Sequence, residues 1–247
     1  MGSSFKTEAI VLRSIRYGEA DRILHLYTPE LGRLSAIAKG ARRARSRFGA
    51  RLEPFFQIAA ILHEGRGELF TVTGAETIDA HAGLRESAAA LDAAARACDA
   101  VSRLFETGEA HPEVFALLAN QLSLLSHEPA ATQPGAGLAF RLKLLLAAGI
   151  APQLGSCAAC GEREHLSGFS AAAGGVVCSS CESSSFTLDT DTYDFLVSAL
   201  GRPLADAPVA TERTLQQAER AIREMSEYHA NVRLRPLTPE PLRQSLM

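Results

Sequence analysis

Tryptophan is absent from the 247 residues, and aromatic side chains of every kind supply only 6% of them. Any surface of this chain therefore offers few flat rings on which a planar ligand could stack. Excess charge is missing too. The formal net charge is −3, so a polyanion would have to be drawn by a local patch rather than by the whole molecule. A secretory apolar segment is lacking, because Lys6 and Glu8 interrupt the N-terminal region. The longest apolar runs, such as Leu144 to Ala151, fall far short of a membrane span, so no membrane partner is expected. Five cysteines, four of them in two C-x2-C pairs, do not make a secreted disulfide framework. A reducing cytoplasm is the simplest compartment.

Catalytic signatures are also missing. There is no GxxxxGKS/T, no GxSxG and no HExxH. His25 and His63 fall within or at the end of strand patterns, where edge or packing roles suit them better than that of a base. Asp189 and Asp191 precede a helical pattern, where carboxylates favour the dipole. The chain thus reads as a non-enzyme without a small-molecule substrate.

What is present is ample apolar material, 47% of residues, enough for real cores. A chain of this length suits one large domain or two to three small ones. Residues 5–75 read as five short strands. Phe5 to Leu12 is the first and Ile23 to Thr28 the second, followed by a Pro29-Glu30-Leu31-Gly32 turn. Leu34, Ala36 and Ala38 alternate along a third; Phe56, Ile58, Ala60 and Leu62 along a fourth. Glu64-Gly65-Arg66-Gly67 turns the chain into a fifth, Leu69 to Thr73. Five such strands suit a small closed barrel, for which the oligonucleotide/oligosaccharide-binding (OB) fold is the common solution.

From residue 84 the period becomes helical. Leu84, Ala88, Leu91, Ala95, Cys98, Val101 and Phe105 share one face. Cys98 in that stripe reads as a small buried hydrophobe. Pro112 opens a second helix, Leu138 to Leu146 lies in a third, and Thr211 is a plausible N-cap of the last. Residues 153–185 hold little that could build a core; small residues such as Ala171 to Gly175 and Ser183 to Ser185 dominate. The expected class is α+β and multidomain: an OB-fold β-barrel over residues 1–80, an all-α domain over 81–152 and 186–235, a zinc-ribbon-like insertion over 153–185, and a loose tail over 236–247.

The insertion carries Cys157, Cys160, Cys178 and Cys181, two C-x2-C pairs separated by seventeen residues. Two residues between cysteines let both thiolates of a tight knuckle reach one ion, and two knuckles complete a tetrahedron. Gly161 follows the first knuckle, where positive φ is often needed. Four thiolates leave no open position, so one structural Zn2+ is expected, its binding energy folding a segment too poor in apolar residues to fold alone. His165 is an unnecessary fifth candidate.

Charge is unevenly spread. Residues 1–80 carry 12 basic against 9 acidic side chains and the remainder 13 against 19, hence +3 and −6. Arg33, Lys39, Arg42, Arg43, Arg45, Arg47 and Arg51 follow one another with no acidic residue among them. The stretch Gly40 to Ala50 is too polar for a barrel strand and reads as a mobile loop. Arginine offers bidentate contacts to phosphate, so this run is the candidate nucleic-acid-binding site, with Arg13 and Arg16 beside Tyr17 in the loop after the first strand. Scarce aromatics imply that charge dominates and that binding is sequence-independent and salt-sensitive.

The runs Tyr17-Gly18-Glu19-Ala20-Asp21-Arg22-Ile23-Leu24, Glu30-Leu31-Gly32-Arg33, Ala38-Lys39-Gly40-Ala41-Arg42-Arg43, Ser46 and Leu52-Glu53-Pro54-Phe55 resemble the N-terminal domain of the bacterial RecO family. Cys157-Ala158-Ala159-Cys160-Gly161 with Cys178-Ser179-Ser180-Cys181 extends the resemblance over nearly the whole chain. It implies a recombination mediator of DNA repair that binds single- and double-stranded DNA and anneals complementary strands. It implies partnership with RecR, contact with the single-strand-binding protein, and help in loading the RecA recombinase in a bacterial cytoplasm, at the nucleoid. The family's basic surface maps to Lys39, Arg42, Arg43, Arg45 and Arg47. Rival readings are a zinc-ribbon RNA- or ribosome-associated module and a metal-dependent nuclease or deaminase. The last needs an H-x-E beside the cysteines, and none occurs.

Overall fold

Five strands, β1 (Ser4–Tyr17), β2 (Asp21–Thr28), β3 (Gly32–Ala38), β4 (Gln57–His63) and β5 (Leu69–Asp79), close into a barrel in the order β1-β2-β3-β5-β4. They lie in a computed structural model that describes residues 3–65, 67, 69–182 and 185–237. Closure depends on β1. Its first half, Ser4 to Ile10, pairs antiparallel with β4, and its second half, Ile10 to Tyr17, with β2. An irregularity between Val11 and Arg13 marks the change of partner. A short parallel pairing of β3 with β5 joins the other edges. The OB-fold expectation is met.

Alternation supplies the interior. Leu24, Leu26, Leu34, Ala36, Ala38, Ile58, Ala60, Leu62 and Val72 face one another in the core. β1 and β5 extend beyond the expected Leu12 and Thr73. The added halves carry polar outward-facing residues, whose alternation is masked where the inward positions are small or half-covered. Arg13, Arg16 and Tyr17 therefore sit on a strand, not in the loop expected for them.

Two compact units divide the chain, residues 1–130 and 131–247. The first unit includes α1 (Ala88–Leu104) and α2 (Pro112–His127), which the sequence had grouped with the later helices. Packing explains the grouping. The outward face of Tyr27 is covered by Phe105, ring centroids 6.4 Å apart, and Phe105 in turn meets His111 at 5.2 Å. α1 starts at Ser87, whose side chain accepts from the Ala90 N–H. Its buried face is Ala90, Ala94, Ala97, Cys98 and Val101, whereas Ala88 is exposed, because an alanine-rich helix offers little contrast by which to locate its inner side. Burial pushes the Cys98 thiol up to about 12, consistent with an inert packing residue.

The second unit contains α3 (Pro134–Ala147), α4 (Thr190–Gly201) and α5 (Glu212–Ala230), with Asp189 and Thr211 as N-caps. It is not all-α. β6 (Leu166–Ser170), β7 (Gly175–Cys178) and β8 (Phe186–Thr187) form a small antiparallel sheet, too short to show a period in sequence. Phe169, Val176 and Val177 are fully buried there, so the insertion has a core after all. Arg141 and Glu219 form a buried ion pair, and both also bond the backbone of the closing segment at Arg235 and Leu237. No helix among the described residues is long and apolar enough to cross a membrane. The expected turn residue Arg66, Ser183 and Ser184, and the tail from residue 238 lie outside the described residues.

Gly32 opens β3 at φ +60°, and a Cβ there would stand 1.8 Å from the Glu109 carbonyl oxygen. Gly32→Ala combines left-handed strain with a backbone clash and is expected to cost roughly 2–4 kcal/mol, measured by urea denaturation.

Candidate nucleic-acid interface and metal centre

The chain between β3 and β4 crosses one end of the barrel and plugs it. Phe48 and Leu52 are 1% and 2% exposed and belong to the barrel core, which a free loop could not achieve. Successive turns bind the segment to itself: Arg43 N–H to Gly40 O (3.1 Å), Ser46 N–H to Arg43 O (2.9 Å), Arg51 N–H to Phe48 O (3.2 Å). The expectation of a mobile loop is thus corrected; two apolar anchors and a series of turns hold it. Lys39, Arg42, Arg43, Arg45, Arg47 and Arg51 are all exposed on its outer side. The Arg47 guanidinium lies 4.9 Å over the Phe48 ring, and Arg51 Nη1 donates to Arg47 O at 3.1 Å.

The β1–β2 turn meets this segment. Arg42 N–H donates to Ala20 O at 2.8 Å and its Nη1 to Gly18 O at 3.2 Å. Asp21 Oδ1 accepts from Gly40 N–H at 2.7 Å. Arg22 donates to Ser14 Oγ (2.8 Å) and to Glu53 Oε1 (2.9 Å). The basic run and the first turn therefore make one shelf. Asp21, Arg22 and Glu53 stand in the runs that carry the family resemblance, but the sequence assigns none of them a role, because each is far along the chain from its partner.

Arg13 lies opposite His25 on the outer face of β1 and β2, and Tyr17 is 53% exposed near the shelf. Ile15, Ile23 and Ile37 form a half-buried row across the same face. Arg33 is placed elsewhere. Its Nη1 reaches Ser102 Oγ of α1 at 3.4 Å, and its Nε is buried, so it serves packing rather than the shelf. His25 Nδ1 meets Ser35 Oγ at 3.1 Å. Burial, then Arg13 and Arg33, pulls its pKa below the usual value.

In the second unit the Sγ atoms of Cys157, Cys160, Cys178 and Cys181 all lie within 4.8 Å of one another, with Cys160 and Cys178 at 3.7 Å. A tetrahedron with Zn–S bonds of about 2.3 Å has edges of about 3.8 Å, so the donor set fits zinc. Each knuckle is a tight turn: Gly161 N–H to Cys157 O at 2.8 Å, with Gly161 at φ +82°, and Cys181 N–H to Cys178 O at 2.9 Å. The Cys178 backbone N–H, followed by those around Cys160, pulls the Cys157 thiol down to about 6. Hydrogen bonding to the Cys160 and Cys178 sulfurs pushes Cys181 up to about 12. Four sulfurs gathered this closely are a natural place for a cation to replace protons. His165 is exposed and is not among the clustered donors. The cysteine module is tied to its helices by Tyr193 Oη to Leu154 O (2.9 Å), His229 Nε2 to Ala171 O (2.8 Å), and the Arg220 guanidinium 4.1 Å over the Phe186 ring.

Two family models match the chain, Recombination protein O N terminal over residues 1–81 and Recombination protein O C terminal over residues 85–237. The chain belongs to the RecO family. The protein named DNA repair protein RecO from Rubrobacter xylanophilus is 41% identical over 227 residues, 88% of this chain and 88% of that protein. Its namesake from Bifidobacterium longum subsp. infantis is 36% identical over 230 residues, 91% and 92% of the two chains. The one from Myxococcus xanthus is 36% identical over 181 residues, 72% of each. The N-terminal match ends at His81, just past β5, and the C-terminal match begins at residue 85.

His81 is 1% exposed at φ 43°, its Nδ1 facing Phe55 O at 2.8 Å and its N–H donating to Asp79 Oδ1 at 2.7 Å. Burial lowers its pKa, against the opposing pull of Asp79. Both His81 and His25 are thus harder to protonate folded than unfolded. Stability is full above about pH 6.5, where both states are neutral, and falls as pH drops below it, because the unfolded chain takes the proton first. The urea midpoint should be lower at pH 5.5 than at pH 7.5. The drop should be smaller in His81→Asn, asparagine being tolerant of left-handed backbone.

Proposed function

We propose that the protein is a non-enzymatic recombination mediator of DNA repair. It binds single- and double-stranded DNA without sequence specificity and anneals complementary strands. Together with RecR it helps load the RecA recombinase onto strands coated by the single-strand-binding protein, in the bacterial cytoplasm at the nucleoid. The observation that carries this reading is the shelf of exposed arginines fixed across one end of an OB barrel, in a chain of the RecO family.

Phosphate contacts need positioned cations, and the shelf offers Lys39, Arg42, Arg43, Arg45, Arg47 and Arg51 within a short span. Neutralising the phosphates of two strands at once lowers their repulsion and lets bases find their complements. The barrel's sheet face carries isoleucines and one tyrosine rather than a set of aromatic platforms, which favours charge over base recognition. Cys157, Cys160, Cys178 and Cys181 would hold one structural Zn2+. Four sulfurs leave no position for water or substrate, so the ion supplies folding energy and no chemistry.

Charge reversal at Arg42, Arg43 and Arg45 together should lower single-strand affinity at least tenfold at about 0.1 M salt and flatten its salt dependence, read by electrophoretic mobility shift and by strand annealing. Unchanged affinity would sink the site. RNA competing far better than DNA would favour a ribosome-associated module instead.

Purified protein should carry one zinc ion per chain by elemental analysis. Cys157→Ser with Cys178→Ser should abolish it and lower the thermal midpoint through a loss of several kcal/mol of metal-linked folding energy. DNA affinity should stay within about threefold, since the shelf lies in the other unit.

A further inference from the structure

Besides the exposed Glu19 in the β1–β2 turn, the shelf contains two carboxylates that simple electrostatics would remove. A surface meant for a polyanion loses attraction with every negative charge it carries. Yet Asp21 and Glu53 sit at the two ends of the arginine run, and each is engaged. Asp21 Oδ1 accepts from Gly40 N–H at 2.7 Å, where the chain leaves β3 with φ +68°. Glu53 Oε1 receives Arg22 at 2.9 Å where the run returns towards β4. The turn that precedes Asp21 also holds Arg42, by its backbone at Ala20 O and its guanidinium at Gly18 O.

We infer that Asp21 and Glu53 are positioning residues for DNA binding, fixing the start and the end of the arginine run so that its guanidinium groups are already placed when phosphate arrives. The inference rests on the proposed DNA-binding role of the shelf. Pre-ordering removes the entropy of arranging several long side chains on a flexible loop at the moment of binding. Arg22, held between Ser14 and Glu53, belongs to this frame and not to the phosphate contacts.

The two views predict opposite signs. If Asp21 acts only through its charge, Asp21→Ala and Asp21→Asn both tighten DNA binding. If it positions the run, Asp21→Ala weakens single-strand affinity about three- to tenfold and flattens the salt dependence. Asp21→Asn, which keeps an oxygen to accept from Gly40 N–H, then binds at least as well as the native chain. Glu53→Ala and Glu53→Gln form a second pair with the same expectation, and they decide the matter if Asp21→Ala lowers the thermal midpoint so far that it does not fold. Affinity is measured by fluorescence anisotropy on a single-stranded oligonucleotide at several salt concentrations. The Arg42, Arg43 and Arg45 charge reversal is run alongside. Tighter or unchanged binding by both alanine variants, with the reversal weakening binding, overturns the positioning role alone. A reversal without effect overturns the shelf as the DNA site and the inference with it.

Discussion

A five-stranded barrel has an open end, and here it is stopped by two side chains from a segment rich in arginine, glycine and alanine. Phe48 and Leu52 must leave water for the barrel to be dry inside, and each is worth about 1.5–3 kcal/mol for doing so. Much of the shelf follows from that requirement. The backbone between and beside the two anchors is drawn against the barrel, its polar groups close on themselves in turns, and the arginines are left on the outer side, where Arg42, Arg47 and Arg51 fold back onto the adjoining chain. A cationic run that would repel itself as a free loop becomes a fixed surface, because apolar burial opposes its dispersal.

The second unit solves a different problem. Its cysteine module has few large apolar residues, mainly Phe169, Val176, Val177 and Phe186 around a sheet with one strand of only two residues. Its four clustered sulfurs, a donor set that fits zinc, bring the two knuckles together. The module is also joined to α4 and α5 by tyrosine, histidine and arginine contacts, so order at the sulfurs and order in the helices support each other. The buried Arg141–Glu219 pair is held by further bonds to the closing segment, which compensates two desolvated charges.

Legibility in the sequence tracked how much contrast each element offered. β3 and the centre of β4 were plain, because apolar residues recur at every second position, Leu34-Ala36-Ala38 and Ile58-Ala60-Leu62. The four cysteines were plain because spacing alone brings their sulfurs together. The far half of β1 was hidden by Arg13, Arg16 and Tyr17, which look like loop residues until β2 is placed beside them. The inner face of α1 was hidden by alanines on every side. Phe48 and Leu52, four residues apart, were a real signal of anchoring that seven neighbouring cations obscured. Contacts such as Asp21 with Gly40 join residues nineteen apart and leave no local trace.

β1 touches β2 across a tight turn but reaches β4 only after some fifty residues of intervening chain, Ser4 meeting His63. A chain emerging from the ribosome can therefore assemble the β1-β2-β3 meander early, while the other half of β1 waits with its hydrogen-bonding edge open. Until β4 arrives, that edge is a template for any extended segment nearby. Completion of the barrel during synthesis removes a sticky edge at the same moment that it seats the arginines, so an immature chain is exposed to mispairing before its cationic surface is in place.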